Sequence, residues 1–284
     1  MPELPEVETI RRLSETHLVG HTVRHVVVTL PKLFRNSTLP DAEMLTGRTL
    51  IAVTRRGKIL DLAFADELHL LIHFKLAGQW AIVLPDGERH VAGHPVPKPD
   101  GDLPHKSTHA SISFDDGRMA WYSDIRQFGW FNLVLADDVP GVMDGLMLGP
   151  EATDPIDVAR LESLFSRRSV PVKAVLLDQK VVAGLGNIYA DEALFAAGVH
   201  PSRPAMSLST QEIARLAEAI PPILAEGIRQ GGATIIHGKA YPDNDFPAVH
   251  GREGEPCIKC GSDILKTRVA GRGTYLCPIC QTIQ

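Results

Sequence analysis

No apolar run in this sequence approaches the roughly 20 residues of a membrane-spanning helix, and the chain opens on acidic residues rather than a basic signal segment. Both absences point to a cytoplasmic protein with no membrane partner. An excess of positive charge is missing as well: the net charge is −5 and the pI about 6.2, which does not advertise a nucleic-acid binder. The charge is unevenly placed, however. Residues 252–284 hold five basic side chains (Arg252, Lys259, Lys266, Arg268, Arg272) against three acidic ones (Glu253, Glu255, Asp263), so a local basic face remains open. No internal repeat is evident. His90, His94, His105 and His109 lack a compact metal-ligand pattern, and the first three read as solvated residues of the Pro/Gly/charge-rich loop over 85–104. Gly184-Leu185-Gly186 lacks the third glycine of a dinucleotide fingerprint and follows no convincing strand, which excludes a Rossmann reading.

What is present suits a folded chain of one large or two ordinary domains: 284 residues, 44% hydrophobic and 22% charged. Val7, Ile10, Leu13 and Leu18 form an apolar stripe that predicts a first helix over Pro5–Leu18. Eight β-branched or aromatic runs follow, at Val23–Thr29, Thr49–Thr54, Lys58–Phe64, His69–Phe74, Trp80–Leu84, Ala110–Phe114, Met119–Tyr122 and Trp130–Leu135. That many short strands predicts a sandwich or barrel. Gly, Pro and Asp crowd Asp137–Pro155, which reads as a linker, and helical patterns then cover Asp157–Ser166, Val172–Asp178, Asn187–Ala197 and Thr210–Gln230. Ser209 and Glu212 have the spacing of a capping box for the last helix, and Pro221-Pro222 are expected to kink or split it. The fold class is α+β, with a β-rich half over 1–136, a linker over 137–155, a helical domain over 156–250 and a metal-binding end over 251–284.

Two ends of the chain carry chemistry. If Met1 is trimmed, Pro2 has a secondary amine whose pKa lies near that of an ordinary α-amine, roughly 7.7–8.0. Such an amine attacks a sugar carbon to give an iminium electron sink, with Glu3 and Glu6 close enough to move protons or anchor it. The same residues also make an ordinary helix start, with Pro5 and acids in the first turn. At the other end, Cys257-x2-Cys260, 16 residues, then Cys277-x2-Cys280 uses every cysteine of the chain. That spacing suits two knuckles around one structural zinc, with disulfides as the competing explanation. Between the pairs, Ile264–Arg268 and Thr274–Leu276 predict a hairpin with Arg272 in its tip, either a groove or phosphate contact or a plain turn residue. The glycine turn before Asn187 opens a helix whose amides suit a phosphate, or simply joins two helices.

Together these motifs resemble bacterial formamidopyrimidine-DNA glycosylases, in the family shared with endonuclease VIII. The likeness runs from PELPEVE at the start through the RRGK turn at Arg55–Lys58, D-x-R-x-F-G at Asp124–Gly129 and LLDQ at Leu176–Gln179. It continues through AGLGNIYADEALF at Ala183–Phe195, GREGEPC at Gly251–Cys257 and the four-cysteine finger. The resemblance implies a catalytic helix with a β-sandwich, a helix-two-turn-helix domain with a zinc β-hairpin, and duplex DNA in the cleft between them. It implies a monomer that flips oxidised bases out of the duplex and acts through Pro2, with Glu3 as proton donor, Glu6 as support and Lys58 on the phosphate of the flipped nucleotide. Abasic sites are implied as substrates too. Asn187, Arg272 and His109 match phosphate contacts, and Lys173 a lysine near the lesion pocket. Arg126, Phe128 and Leu76 match residues that fill the void and wedge the opposite strand.

Departures from the family pattern leave the lesion range open. Leu76 stands where a methionine is usual, Asp124-Ile125-Arg126-Gln127-Phe128-Gly129 lacks one proline and one arginine of the usual motif, and His250 replaces a common tyrosine. The stretch from Gly232 to Cys257 looks short. Formamidopyrimidines and abasic sites are therefore the expected substrates, with weaker selectivity for 8-oxoguanine and some action on oxidised pyrimidines. An endonuclease VIII-like enzyme, a non-catalytic zinc DNA-binding protein and an enzyme unrelated to DNA are the rival classes.

Overall fold

The computed structural model describes the whole chain except Met1, Arg35, Asn36, Thr38, Pro40, Thr234, His237, Gly238, residues 241–245 and Gln284; at 235, 236, 239 and 240 it describes the backbone alone. The chain divides into two compact units, Met1–Leu146 and Met147–Gln284. Part of the short Gly232–Cys257 stretch thus lies outside the described residues.

In the first unit, helix α1 (Leu4–Leu18) begins where Glu3 and Glu6 form a capping box, with the Glu3 amide donating to Glu6 Oε2 at 2.7 Å. Its buried stripe of Leu4, Val7, Ile10 and Leu18 packs against two antiparallel sheets that share one core. The five-stranded sheet has the order β1 (Val23–Val28), β7 (Thr108–Phe114), β8 (Met119–Asp124), β5 (Gly78–Val83) and β6 (Arg89–Gly93). The four-stranded sheet runs β2 (Leu50–Arg56), β3 (Ile59–Phe64), β4 (Leu68–His73) and β9 (Trp130–Leu135). Helix α1 contacts β2 and β3 of one sheet and β5 and β6 of the other, so it closes the side where the two edge strands β2 and β6 lie.

Register decides what meets at the end of this sandwich. The β4–β5 and β8–β9 connections both cross from one sheet to the other. His73 pairs with Trp130 in one sheet and Gly78 with Asp124 in the other, so the two connections run side by side. Ile59 also pairs with His73, which brings the β2–β3 turn to the same end.

One strand was not legible in the sequence. The loop expected over 85–104 contains β6, paired with β5. His90 lies in that strand, stacked on His17 of α1 at 4.0 Å between ring centroids. His94 and His105 are half-buried, their Nδ1 atoms engaged by Val96 and Ser107. The expectation of three solvated histidines is therefore corrected; alternation in Arg89–Gly93 is masked by His90, which packs on α1.

The linker expected over 137–155 is also more ordered than its composition suggests. It contains α2 (Val139–Gly145), and beyond it Ala152 is fully buried while Glu151 bridges to Ala183. The second unit holds α3 (Val158–Phe165), α4 (Val172–Leu176), α5 (Asn187–Ala197) and α6 (Thr210–Arg229), then the short pair β10 (Ile235–Ile236) and β11 (Lys239–Ala240). Asp157 caps α3, and Ser209 and Glu212 form the capping box of α6. Pro221 and Pro222 lie within α6 without splitting it. Burial of Ile213, Leu216, Ala217, Ile220 and Leu224 on one face holds the helix through the two missing amide donors.

Between α4 and α5 the Gln179 amide knits the two turns, donating to the Leu185 carbonyl at 2.8 Å and accepting from the Gly184 amide at 3.0 Å. Strands β12 (Leu265–Val269) and β13 (Arg272–Leu276) form the last hairpin. Its turn is only Ala270-Gly271, at φ +46° and +77°, the left-handed pair of a type I′ turn. Arg272 accordingly begins β13 instead of sitting in a five-residue tip.

Gly227 gives this packing a sharp test. Replacing a helix-interior glycine by alanine ordinarily gains about 0.5–1 kcal/mol. Here a Cβ would lie 2.4 Å from Cε1 of Tyr189, a fully buried ring stacked near Phe246 whose hydroxyl accepts the Ala233 amide. Gly227→Ala is expected to lower stability by about 1–3 kcal/mol through overpacking. Urea unfolding measures it, and a stabilised variant would show that the Tyr189 ring can give way.

Candidate active site and nucleic-acid interface

The start of α1 and the β2–β3 turn form one buried constellation. Pro2 is buried, and Glu3, Glu6 and Lys58 are 1%, 5% and 8% exposed. Gly57, at φ +57°, supplies the left-handed first position of a two-residue turn, which places Lys58 second. Arg55 ties this turn to the helix: its Nε donates to Glu8 Oε2 at 2.9 Å and its Nη1 to the Gly57 carbonyl at 3.4 Å. Burial pushes the Glu8 carboxyl up, but hydrogen bonds from Arg11, Arg12 and Arg55 outweigh it and hold the group below its ordinary value. Glu8 and Arg55 fall within the PELPEVE and RRGK motifs, but four charged residues spread over 8–55 form no local pattern that joins them.

His73 is a further residue of this end. Burial, and then the charges of Lys75 and Lys58, push its imidazole well below the usual histidine range, so it is neutral at physiological pH. Its Nδ1 accepts the Lys75 amide at 3.0 Å, which fixes the ring beside Lys58. Leu76 follows in the β4–β5 turn, half-buried. Arg126 and Phe128 stand exposed on the adjacent β8–β9 loop, with the guanidinium 5.3 Å from the Phe128 ring centroid. All three void-filling candidates therefore share one end of the sandwich.

His109 is held inside the sandwich. It is 7% exposed, and its Nε2 donates to the Asp124 carbonyl at 3.0 Å, a bond that requires the proton on Nε2 because a carbonyl only accepts.

In the second unit, Lys173 packs behind the hairpin. It is fully buried, with Nζ 2.7 Å from Asp191 Oδ1 and donating to Thr274 Oγ1 at 2.8 Å and the Gly273 carbonyl at 3.1 Å. Asn187 Nδ2 donates to the same carbonyl at 2.9 Å. The two candidate contacts thus converge on the residue next to Arg272, which is exposed. Asp191 Oδ2 also takes the Tyr275 amide and His250 Nδ1, at 3.1 and 2.8 Å, and Glu192 takes the amides of Ala248, Val249 and His250 at 2.7–3.0 Å. These adjacent carboxylates dock the hairpin and the segment before it onto α5.

The four cysteines complete the hairpin's base. Their sulfurs all lie within 4.8 Å of one another, with Cys257–Cys280 at 3.9 Å and Cys260–Cys277 at 3.4 Å. Tetrahedral zinc with bonds of about 2.3 Å would separate its sulfurs by about 3.8 Å, whereas a disulfide needs about 2.05 Å. Amides of Lys259 and Cys280 donate to Cys257 and Cys277 sulfurs at 3.4 Å, which favours thiolates. The residues fit one structural zinc, four sulfurs leaving no position open for catalysis.

Comparisons with known proteins agree with this layout. Residues 1–131 match the formamidopyrimidine-DNA glycosylase N-terminal domain, 148–238 the H2TH domain of the same enzymes, and 254–283 a zinc finger found in FPG and IleRS. A formamidopyrimidine-DNA glycosylase of Geobacillus kaustophilus is 39% identical over 99% of this chain and 100% of its own. The solved structure of Lactococcus lactis Fpg with abasic-site DNA is similar at a TM-score of 0.86 and 33% identity, over 99% of this chain and 100% of that one. MutM bound to DNA containing carbocyclic 8-oxo-G is similar at 0.86 and 34% identity, with the same coverage. Three family domains in order, a full-length relative and a shared fold make this chain a member of the formamidopyrimidine-DNA glycosylase family.

Proposed function

We propose that this protein is a bifunctional DNA glycosylase and abasic-site lyase of base excision repair, using the Pro2 amine after removal of Met1. The observation that carries the reading is the buried constellation of Pro2, Glu3 and Glu6 with the Lys58 turn tethered to α1 through Arg55 and Glu8. An enzyme cannot reach C1′ inside a stacked duplex, so the damaged nucleotide is flipped out, with Lys58 on its phosphate. Pro2 nitrogen attacks C1′ and the bond to the base breaks. Glu3 delivers a proton to the ring oxygen as the C1′–O4′ bond opens, leaving an iminium between Pro2 and C1′. Loss of a C2′ proton then expels the 3′ phosphate, and a second elimination expels the 5′ phosphate. Glu6, which accepts the Glu3 amide, holds the start of α1 in place.

Arg272 is proposed as a direct phosphate contact, presented by a hairpin that zinc, Lys173 and Asn187 hold in shape. Leu76, Arg126 and Phe128 are proposed to fill the space left by the flipped nucleotide. The proposed substrates are oxidised purines, formamidopyrimidines first, in a bacterial cytoplasm; among the described residues no helix is long and apolar enough to cross a membrane.

Borohydride reduction on an abasic duplex is expected to link DNA covalently to Pro2. Pro2→Gly should keep damaged-DNA binding and lose most strand cleavage, and Glu3→Gln should lose excision by about 10²–10⁴-fold; wild-type turnover in both would refute the mechanism. In single-turnover excision, formamidopyrimidine should lead 8-oxoguanine and thymine glycol, and exclusive action on thymine glycol would move the protein to the endonuclease VIII branch. Binding should depend on the second unit in two separable ways. Arg272→Ala should weaken all duplexes alike and flatten the log–log salt slope by about 0.9, one phosphate contact. Cys277→Ser should release the zinc, about one per chain in the native protein, and cost more affinity than Arg272→Ala; metal-free protein with undiminished binding would rule this out.

A further inference from the structure

The β8–β9 loop has a hydrogen-bond economy that its motif does not disclose. Asp124 is fully buried. Its Oδ1 accepts the Arg126 amide at 2.9 Å, its carbonyl accepts the Gln127 amide at 3.2 Å, and its Oδ2 accepts the amides of Phe128 and Gly129, both at 2.9 Å. Four consecutive backbone amides of the loop therefore end on oxygens of one residue. Gln127 takes a left-handed φ of +55° to make this possible. The Tyr122 hydroxyl donates to the same Oδ2 at 3.2 Å, and His109 Nε2 donates to the Asp124 carbonyl. Burial, then the neighbouring Asp124 charge, raises the Tyr122 phenol far above its ordinary value, so it keeps the proton that it donates to Asp124. Gly129 is required by the same knot, since a Cβ there would lie 1.8 Å from the Tyr122 oxygen.

The side chains of this loop point away from the knot. Ile125 and Phe128 are 43% and 46% exposed, and Arg126 is exposed beside the Phe128 ring. An apolar ring next to a guanidinium, on a loop whose backbone is fixed, is costly to leave in water and suited to a stacked base. Its ordering entropy is lost on folding instead of on meeting DNA, so insertion gains what the folded state has already forgone.

We infer that Asp124 is the positioning residue that keeps Arg126 and Phe128 as a preformed wedge, with Tyr122 and His109 bracing it from the sheet. This rests on the glycosylase reading above, deepening the task assigned there to Arg126 and Phe128. Asp124 touches no reacting atom; it acts through the two residues it holds. The loss of a proline and an arginine from the usual motif at Ile125 and Gln127 leaves the knot intact, because neither side chain belongs to it.

The test uses full-length zinc-loaded protein and two substrates: a duplex bearing a tetrahydrofuran abasic analogue opposite 2-aminopurine, whose fluorescence reports wedge insertion, and DNA bearing a true abasic site, whose C1′ aldehyde permits borohydride trapping in duplex or single-stranded form. Asp124→Asn keeps the side chain's size but turns one acceptor into a donor that faces amide donors. It is expected to slow the fluorescence phase about tenfold and to lower the ratio of duplex to single-strand borohydride trapping by a similar factor. Tyr122→Phe removes one donor and should shift both readouts the same way by a smaller factor, which keeps the test decisive if Asp124→Asn does not fold. In an Arg126→Ala/Phe128→Ala background, Asp124→Asn should change neither readout further. Unchanged insertion and trapping ratio in a folded variant, or effects that simply add in that background, would overturn the inference. Wild-type protein that traps no abasic DNA in either form would instead overturn the glycosylase reading.

Discussion

A carboxylate taken out of water must be met by donors, or its burial costs several kcal/mol. This chain meets that demand repeatedly and with backbone amides above all. Glu6 takes the amide that begins α1, Asp124 the amides of a loop, and Asp191 and Glu192 those of the hairpin and the segment before it. In each case a buried acid on a regular element fixes the backbone that packs beside it. Glu8 is the variant in which three arginines supply the donors, and there the product is a helix locked to a turn. The candidate functional side chains are almost all neighbours of these acids.

Positive charge is apportioned by the same rule. Much of the basic complement is engaged internally: Arg11, Arg12 and Arg55 on Glu8, Arg203 on Glu212, Lys173 on Asp191. A chain with net charge −5 still leaves a cation outward, since Arg272 is exposed on a hairpin that Lys173 holds from behind.

The sequence disclosed the elements with strong period or strong punctuation. Helix α1 with its acidic start, eight of the nine strands of the sandwich, the α6 capping box and the cysteine spacing were all legible, because each is set by local pattern. Strand β6 was not, since a histidine, His90, stands in it against His17 of α1. Lys173 was matched to a lysine near the lesion pocket and His109 to a phosphate contact, and no local signal foretold that Asp191 would bury the lysine or that the Asp124 carbonyl would take the histidine. Asp124 stood in a quoted motif, yet its task depends on four amides and a tyrosine hydroxyl that only the paired β-strands bring together. Side-chain type was legible at these places, and side-chain direction was not.

Helix α6 has a consequence for how the second unit assembles. Two successive prolines in its interior each disfavour an isolated helix by on the order of 3 kcal/mol, so the longest helix of the chain cannot persist as a free segment in the unfolded ensemble. It has to wait for α3 and α5, against which it packs. Formation of α6 then depends on packing against helices that precede it in the chain. The element that looks most autonomous in the primary structure is the one that forms by templating on its neighbours.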